Sequence, residues 1–222
     1  MTAKEIINNA ITPLKTSDKA SFAIELMDEY KVSHLPIVNN IEFLGLISYA
    51  DIVNQDIIDE PIGNHSLSLA ELISHCMEDQ HIFEIVKLAS SLKLSLIPVL
   101  DLKNHYLGSI TLDNLIYAFS TVCSIEIPGG VIVLEISNRD YLLAQIAQIV
   151  ESNNAKILSL FVNSNPDSTR LEVTIKINKI DINDVLQTFT RYNYSIKSSF
   201  SESENFDNLK DRYDSLMRYL NV

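Results

Sequence analysis

The sequence contains few of the residues on which disulfide-stapled or metal-bound folds depend. It has two cysteines, Cys76 and Cys123, and no tryptophan. Two cysteines so far apart are too few for a disulfide framework or a thiolate zinc site. The cluster of His75, Cys76, Glu78 and His81 lacks zinc-motif spacing, so it is assigned no metal. We expect Cys76 in the core and the histidines on the surface.

Basic residues are also scarce. Lysine and arginine total 17 against 29 acidic residues, which gives a net charge of −12. Nucleic acids and anionic membranes are bound largely through neutralised phosphates, so neither is an expected partner. The first ten residues do not resemble a signal peptide, and no apolar run approaches the ~20 residues of a membrane-spanning helix. We therefore expect a cytoplasmic protein.

Motifs that would indicate catalysis are missing from the chain. It contains no Gly-x-Ser-x-Gly elbow, no Walker-type phosphate loop and no His-Glu-x-x-His pair. Hydrophobic residues make up 46% of the chain and charged residues 21%, which is typical of a globular protein with a sizeable core. The sequence thus favours a folded, non-enzymatic protein.

The first ~125 residues contain two copies of one folding unit, which is indicated by sequence similarity at a fixed spacing. The segment Ser33–Val38 (SHLPIV) reappears 62 residues later as Ser95–Leu100 (SLIPVL). Phe43–Ser48 (FLGLIS) reappears 63 residues later as Tyr106–Thr111 (YLGSIT). A helical apolar face recurs in the same register, with Ala23, Leu26, Met27 and Tyr30 matching Ile85, Leu88, Ala89 and Leu92. Since one such unit buries only part of its apolar surface, the two should pack together.

Each unit follows the same predicted order of elements. A short strand or turn opens it, at residues 11–14 and 73–76. A helix follows, which in the first unit should begin at Ser17 as its N-cap. Two apolar strands joined by a polar hairpin come next, and a second helix begins near Asp51 or Asn114.

From Pro128 onward the pattern changes to that of a split βαβ plan. It predicts a strand at 131–136, a helix with the apolar stripe Leu142, Ile146, Ile149 and Val150, strands at 157–162 and 171–177, a second helix, and a strand at 195–200. This order, β-α-β-β-α-β, is that of a ferredoxin-like domain. Residues 202–222 are expected to form a linker and an amphipathic helix.

The duplicated half, about residues 5–122, resembles a tandem pair of CBS domains, also called a Bateman module. The apolar-Pro-apolar strand and the run Gly-x-x-Ser/Thr-x-x-Asp/Asn carry the resemblance. That run reads Gly45–Asp51 in the first copy and Gly108–Asn114 in the second. The third region resembles an ACT domain, a module that binds amino acids and pairs with itself. Its first turn, Asn138–Tyr141, lacks the glycine usual in that family, which favours sheet-to-sheet dimerisation as its role.

These observations predict an α+β fold, a pseudo-symmetric pair of CBS domains plus a C-terminal ferredoxin-like (ACT-like) domain. The expected boundaries are 1–62 for the first CBS domain, 63–125 for the second, 126–201 for the ACT-like domain, and 202–222 for the linker and terminal helix.

The CBS resemblance implies an adenine-nucleotide ligand: AMP, ADP, ATP or S-adenosylmethionine. It gives Ser48 and Thr111 the role of phosphate contacts, and Asp51 and Asn114 that of ribose acceptors. The residues alone favour a simpler role, in which these side chains cap the following helices. The other candidate binding residues are Thr12, Pro13, His34, Leu35 and Pro36 in the first copy and His75, Leu96, Ile97 and Pro98 in the second. If only one site is used, the first is favoured, because the side chain of Asn114 carries no charge.

Two hypotheses of function remain open at this point. In the first, a nucleotide enters the cleft between the repeats of a homodimeric regulatory protein and changes how it acts on a partner protein. In the second, the clefts are empty and the CBS and ACT-like domains form an interaction and dimerisation module that regulates a partner. An enzyme is a third class, and no motif supports it.

Overall fold

The computed structural model describes residues 1–64, 74–164 and 169–201, together with Met217 and Tyr219. The chain divides into two compact units, Met1–Val122 and Cys123–Val222. Ile73, where the second repeat was predicted to open, lies outside the described residues. So does the predicted C-terminal helix, apart from Met217 and Tyr219.

The first unit contains the two repeats in sequence. The first repeat consists of α1 (Ala20–Tyr30), β1 (His34–Asn39), β2 (Glu42–Ser48) and α2 (Tyr49–Asn54). The second consists of β3 (Cys76–Met77), α3 (Ile82–Leu92), β4 (Leu96–Leu100), β5 (Tyr106–Thr111) and α4 (Leu112–Val122). Short 3-10 helices at Ala3–Glu5 and Ile62–Asn64 precede the two repeats.

The structure repeats in detail as well as in outline. Both antiparallel hairpins, β1–β2 and β4–β5, have a register irregularity at the same position, after Ile37 and after Val99. The parallel pairing of Cys76 with Val99 has its counterpart in the bridge from Leu14 to Ile37. These shared irregularities confirm the predicted duplication, because a bulge is a specific local feature.

The two repeats exchange their opening segments. The Ala3 N–H donates to the Gln80 carbonyl at 2.9 Å, so the first 3-10 helix pairs with the second repeat. Its counterpart, Ile62, donates to the Asp18 carbonyl of the first repeat, also at 2.9 Å. A single cluster of buried side chains runs through both repeats. The repeats therefore share one core.

The predicted start of α1 at Ser17 is wrong. The helix begins at Ala20, and Lys19 occupies the N-cap position without a capping side chain. The exchanged segment satisfies the first-turn N–H groups instead: Ala20 donates to the Glu60 carbonyl and Ser21 to that of Ile58. Because these partners are distant in sequence, a local capping rule does not identify them.

The second unit is a four-stranded antiparallel sheet with two helices. Its elements are β6 (Gly130–Ser137), α5 (Leu143–Ser152), β7 (Ile157–Ser164), β8 (Arg170–Ile177), α6 (Asn183–Arg191) and β9 (Ser195–Phe200). The strand order β7-β8-β6-β9 is that of the predicted ferredoxin-like plan. This unit has its own core, which includes Ile146, Ile149 and Val150 of the predicted stripe. Leu142 does not join them: it precedes the helix and is 58% exposed.

Candidate functional site

The turn from β2 into α2 holds Ser48 and Asp51 in a reciprocal capping arrangement. The Ser48 hydroxyl oxygen accepts from the Asp51 N–H at 3.1 Å, and Asp51 Oδ2 accepts from the Ser48 N–H at 3.1 Å. The Ser48 hydroxyl donates to the same carboxylate oxygen. This is a capping box, which fixes the carboxylate against the start of the helix.

The second carboxylate oxygen of Asp51 differs from the first in its contacts. No described residue donates a hydrogen bond to Oδ1, and the side chain is only half-buried. A carboxylate held at one oxygen and open at the other can accept from a hydroxyl group of a ligand. The capping role and the ribose role are therefore compatible at Asp51, whereas the Ser48 hydroxyl is largely committed to the cap.

The corresponding turn of the second repeat is more fully occupied. The Thr111 hydroxyl donates to Asn114 Oδ1 at 2.6 Å, and the Asn114 N–H donates to Thr111 Oγ1 at 3.3 Å. The side-chain amide of Asn8 also donates to Asn114 Oδ1, at 3.3 Å. An amide oxygen has two lone pairs, and both are used here. A ribose hydroxyl would have to displace one of these donors.

His34 lies directly opposite Ser48 in the β1–β2 register. Its Nδ1 atom accepts from the backbone N–H of Ser95, in the second repeat, at 3.2 Å. The Ser95 hydroxyl lies 2.9 Å from the same nitrogen. Burial lowers the pKa of His34, and the nearby carboxylate of Asp51 partly offsets this effect. The ring is therefore neutral at pH 7, with its Nδ1 directed at the second repeat.

The remaining candidates fall into two groups. Thr12 is exposed, and its hydroxyl accepts from the Tyr30 hydroxyl at 3.2 Å, while Pro13 is half-buried beside it. The side chains of Leu35, Leu96 and Ile97 are fully buried, and Pro36 and Pro98 are buried with them, so these five offer a ligand only their backbone.

His75 serves a packing role at the start of the second repeat. Its ring packs edge-on against Phe43 of the first repeat, with ring centroids 5.5 Å apart. Cys76 is 1% exposed, and burial raises the pKa of its thiol to about 12. Cys76 lies in the core as expected. Among the described residues, no group of three or more His, Cys, Asp or Glu side chains could hold a metal ion.

The sequence patterns did not identify two residues that matter at these turns. Asn8 reaches Asn114 because the opening segment crosses to the other repeat, and its N–H donates to the Ser109 carbonyl at 2.9 Å. Ser95 meets His34 across the junction of the repeats. The one signal for Ser95 was its equivalence to Ser33 in the repeat alignment.

The second unit has an open depression of about 390 Å³ at the predicted ACT-like turn. Ser137, Asp140, Gln145 and Tyr194 are among the residues that line it. The Tyr194 hydroxyl donates to Gln145 Oε1 at 2.8 Å. Burial and then the charge of Asp140 raise the pKa of Tyr194. The described lining side chains therefore bond to one another in part, and no role is assigned to them.

Comparison with known proteins identifies the first repeat. Residues 3–57 match the family model of the CBS domain. The duplicated first unit, whose first repeat carries this match, and the ferredoxin-like second unit confirm the predicted α+β fold. Among the described residues, no helix is long and apolar enough to cross a membrane.

Several solved structures are similar to the chain at low sequence identity. One is a CBS domain pair/ACT domain protein from Thermotoga maritima, with a TM-score of 0.47 and 16% identity over 55% of this chain and 98% of that one. Another is CBSX2 in complex with AMP, with a TM-score of 0.44 and 20% identity over 55% and 97%. A putative acetoin utilization protein from Vibrio cholerae has a TM-score of 0.47 and 18% identity over 57% and 95%.

Proposed function

We propose that this protein is a non-catalytic regulatory protein that binds an adenine nucleotide at the Ser48–Asp51 turn of its CBS pair. The observation that carries the proposal is the Asp51 carboxylate, which is anchored through Oδ2 and receives no hydrogen bond at Oδ1 from any described residue. A carboxylate oxygen in this state accepts from the hydroxyls of a ribose. The CBS family match of residues 3–57, which contains this turn, supports the choice of ligand class.

The Ser48–Asp51 turn is the preferred site for two reasons. Asp51 carries a charge that strengthens a hydrogen bond from a hydroxyl, whereas Asn114 is neutral. In addition, Asn8 and Thr111 already donate to Asn114 Oδ1. A ligand that donates to Asn114 Oδ1 would therefore displace one of these protein hydrogen bonds for each bond that it forms.

The test is calorimetric titration of the full chain with AMP, ADP, ATP and S-adenosylmethionine. We expect binding of at least one of them, and a loss of about tenfold or more in affinity for Asp51→Asn, because a hydrogen bond to a charged group contributes more than a neutral one. Asn114→Ala is the matched variant in the second repeat, and it should change the affinity by less than about threefold. Absence of heat and of thermal shift with all four compounds would reject the proposal.

A second candidate function, a ligand-free interaction and dimerisation module, is favoured by a different observation. Three large apolar side chains of α3 and α4 are exposed: Phe83 by 55%, Ile116 by 67% and Tyr117 by 66%. The helices α3 and α4 lie next to each other, and contiguous exposed apolar side chains are typical of surfaces that bind another protein. Here they would join two copies of the chain or hold a regulated partner.

Sedimentation velocity over a range of concentrations tests this second function. The wild type should dimerise whether or not nucleotide is present, and Ile116→Lys should shift it towards monomer. Leu102→Lys, at an 80% exposed hairpin position, is the matched control and should leave the equilibrium unchanged. A wild type that is monomeric at every concentration contradicts the self-association part of this hypothesis.

A further inference from the structure

His34 lies where the two repeats meet, and three hydrogen-bonding groups surround one of its nitrogens. Nδ1 accepts from the Ser95 N–H at 3.2 Å, and the hydroxyl oxygens of Ser95 and Ser33 lie 2.9 and 3.2 Å away. The Ser33 N–H in turn donates to the Ser95 hydroxyl oxygen at 2.9 Å. Ser33 and Ser95 occupy equivalent positions in the two repeats. Together the three residues form a hydrogen-bonded junction between β1 and β4.

One hydrogen bond determines whether His34 Nδ1 is a donor or an acceptor at this junction. A backbone N–H can only donate, so Nδ1 of His34 must be the acceptor, and the ring proton resides on Nε2. A protonated ring would direct an Nδ1–H at the Ser95 N–H and lose this bond. Burial of the ring supports the neutral form, as does the lowered pKa of His34. The junction therefore requires a hydrogen-bond acceptor at this atom.

The same residues connect to the proposed nucleotide turn. The Tyr49 N–H, at the first position of α2, donates to the Ser33 carbonyl at 2.9 Å. His34 is paired with Ser48 across the hairpin, and the ring is close enough to Asp51 for the carboxylate to influence its titration. Among the described residues, Asp51 is the charged group that acts on His34. His34 and Ser33 thus contact both this turn and Ser95.

The second repeat has no histidine at the position equivalent to His34. Leu96 stands where the first repeat has His34, and it is fully buried. The Leu112 N–H donates to the Ser95 carbonyl at 3.3 Å, as the Tyr49 N–H does to the Ser33 carbonyl in the first repeat. The backbone hydrogen bond is therefore present in both repeats, whereas the imidazole is present only in the first. Among the described residues, an imidazole therefore joins the two repeats at the first turn only, whereas the second turn is joined to the opening segment by the side-chain amide of Asn8.

We propose that His34 is a positioning residue that couples occupancy of the Ser48–Asp51 turn to the hydrogen-bonded junction between the repeats. This inference rests on the proposed function, because it takes the turn as the ligand site. Coupling requires that the ligand favour one arrangement of the junction over another. Ser95, in the second repeat, should then influence nucleotide affinity through His34.

A double-mutant cycle with AMP as the probe tests the coupling. Ser95→Ala should change the AMP affinity of the full chain by about fivefold or more, a typical coupling between two sites. In a His34→Leu background, which carries the residue of the second repeat, the same substitution should have no effect. His34→Asn places an amide oxygen near the position of Nδ1 and should restore the sensitivity to Ser95. His105→Asn, on the other hairpin, is the control.

The outcomes separate this inference from the proposed function. If AMP binds and Asp51→Asn weakens binding, but Ser95→Ala acts equally in both backgrounds or not at all, the coupling is rejected and the function stands. If the wild type binds none of the four nucleotides, both the proposed function and the ligand coupling are rejected. Nitrogen NMR of the unliganded protein then tests the junction alone: Nδ1 protonation of His34 at pH 7.5, in place of Nε2 protonation, would contradict it.

Discussion

At the scale of single residues, one polar pattern determines the contacts at the start of α2. The Ser48–Asp51 capping box stabilises the helix, and it leaves Asp51 Oδ1 without a hydrogen-bond donor among the described residues. The motif itself and its capping chemistry could be predicted from the sequence. The commitment of Asn114 to Asn8 could not, because Asn8 is 106 residues away along the chain.

The histidine at the repeat junction gives a prediction for pH. Because burial lowers the pKa of His34 in the folded protein, the unfolded chain binds a proton more readily between that pKa and the ordinary value of about 6.5. The contribution of His34 to the free energy of unfolding is therefore complete above about pH 6.5 and is lost as the pH falls below it. Urea unfolding at pH 7.5 and pH 5 measures the difference.

The control is a comparison of histidine variants. His34→Asn, which cannot titrate, should show a smaller loss of stability between pH 7.5 and pH 5 than the wild type. His34→Leu, which likewise cannot titrate, should show a loss as small as that of His34→Asn. Equal pH dependence in the wild type and His34→Asn would show that the imidazole does not titrate as the junction requires.

At the scale of elements, the exchanged opening segments hold the two repeats together. Residues Ile7–Asn9 run beside β5, and a Cβ added at Gly108 would lie 2.5 Å from both Asn9 Oδ1 and Ile7 Cγ2. Gly108 also has a φ of +150°, which side-chain-bearing residues rarely adopt. Glycine is therefore required here by both space and backbone conformation.

Gly108→Ala should destabilise the first unit by about 1–3 kcal/mol, the usual cost of overpacking or backbone strain. Limited proteolysis should then cleave the opening segment faster than in the wild type, and urea unfolding should give the loss of stability. Leu107→Ala, at the preceding and partly exposed position, is the control for loss of packing alone. An unchanged cleavage rate in Gly108→Ala would show that the segment is not held against β5.

An element can be predicted from the sequence when its hydrogen-bond partners lie nearby in the chain. Hairpins, strand alternation and apolar helix faces are local patterns, and the described elements agree with most of them. The predicted start of α1 is wrong because Glu60 and Ile58, which are distant in sequence, satisfy its first N–H groups. The exposure of Leu142 likewise depends on where α5 begins, which the stripe of apolar residues did not define.

At the scale of the whole molecule, two separate hydrophobic cores indicate that ligand binding should stabilise one unit. One core lies in the first unit and the other in the second unit. A ligand at 100 times its Kd adds about 2.7 kcal/mol to the stability of the unit that binds it. Hydrogen exchange with mass spectrometry, with and without saturating AMP, should therefore show slower exchange in β1–β5.

Strands β6–β9 serve as the internal control in the same experiment. Their exchange should be unchanged by AMP, because the proposed site lies in the first unit. Protection confined to β6–β9 would place the ligand in the ACT-like domain and contradict the site. The duplicated pattern and the ferredoxin-like pattern could be read in order from the sequence, whereas the separation of the two cores could not, because it depends on contacts between residues distant in sequence.

The central claim is that a ribose is held by Asp51 in the first repeat, and a crystal structure of the full chain grown with AMP tests it most directly. The account predicts one nucleotide at the Ser48–Asp51 turn, with a ribose hydroxyl within hydrogen-bond distance of Asp51 Oδ1 and Asn8 still bound to Asn114. Electron density for AMP at Thr111–Asn114 instead, or in the depression of the second unit, would contradict it.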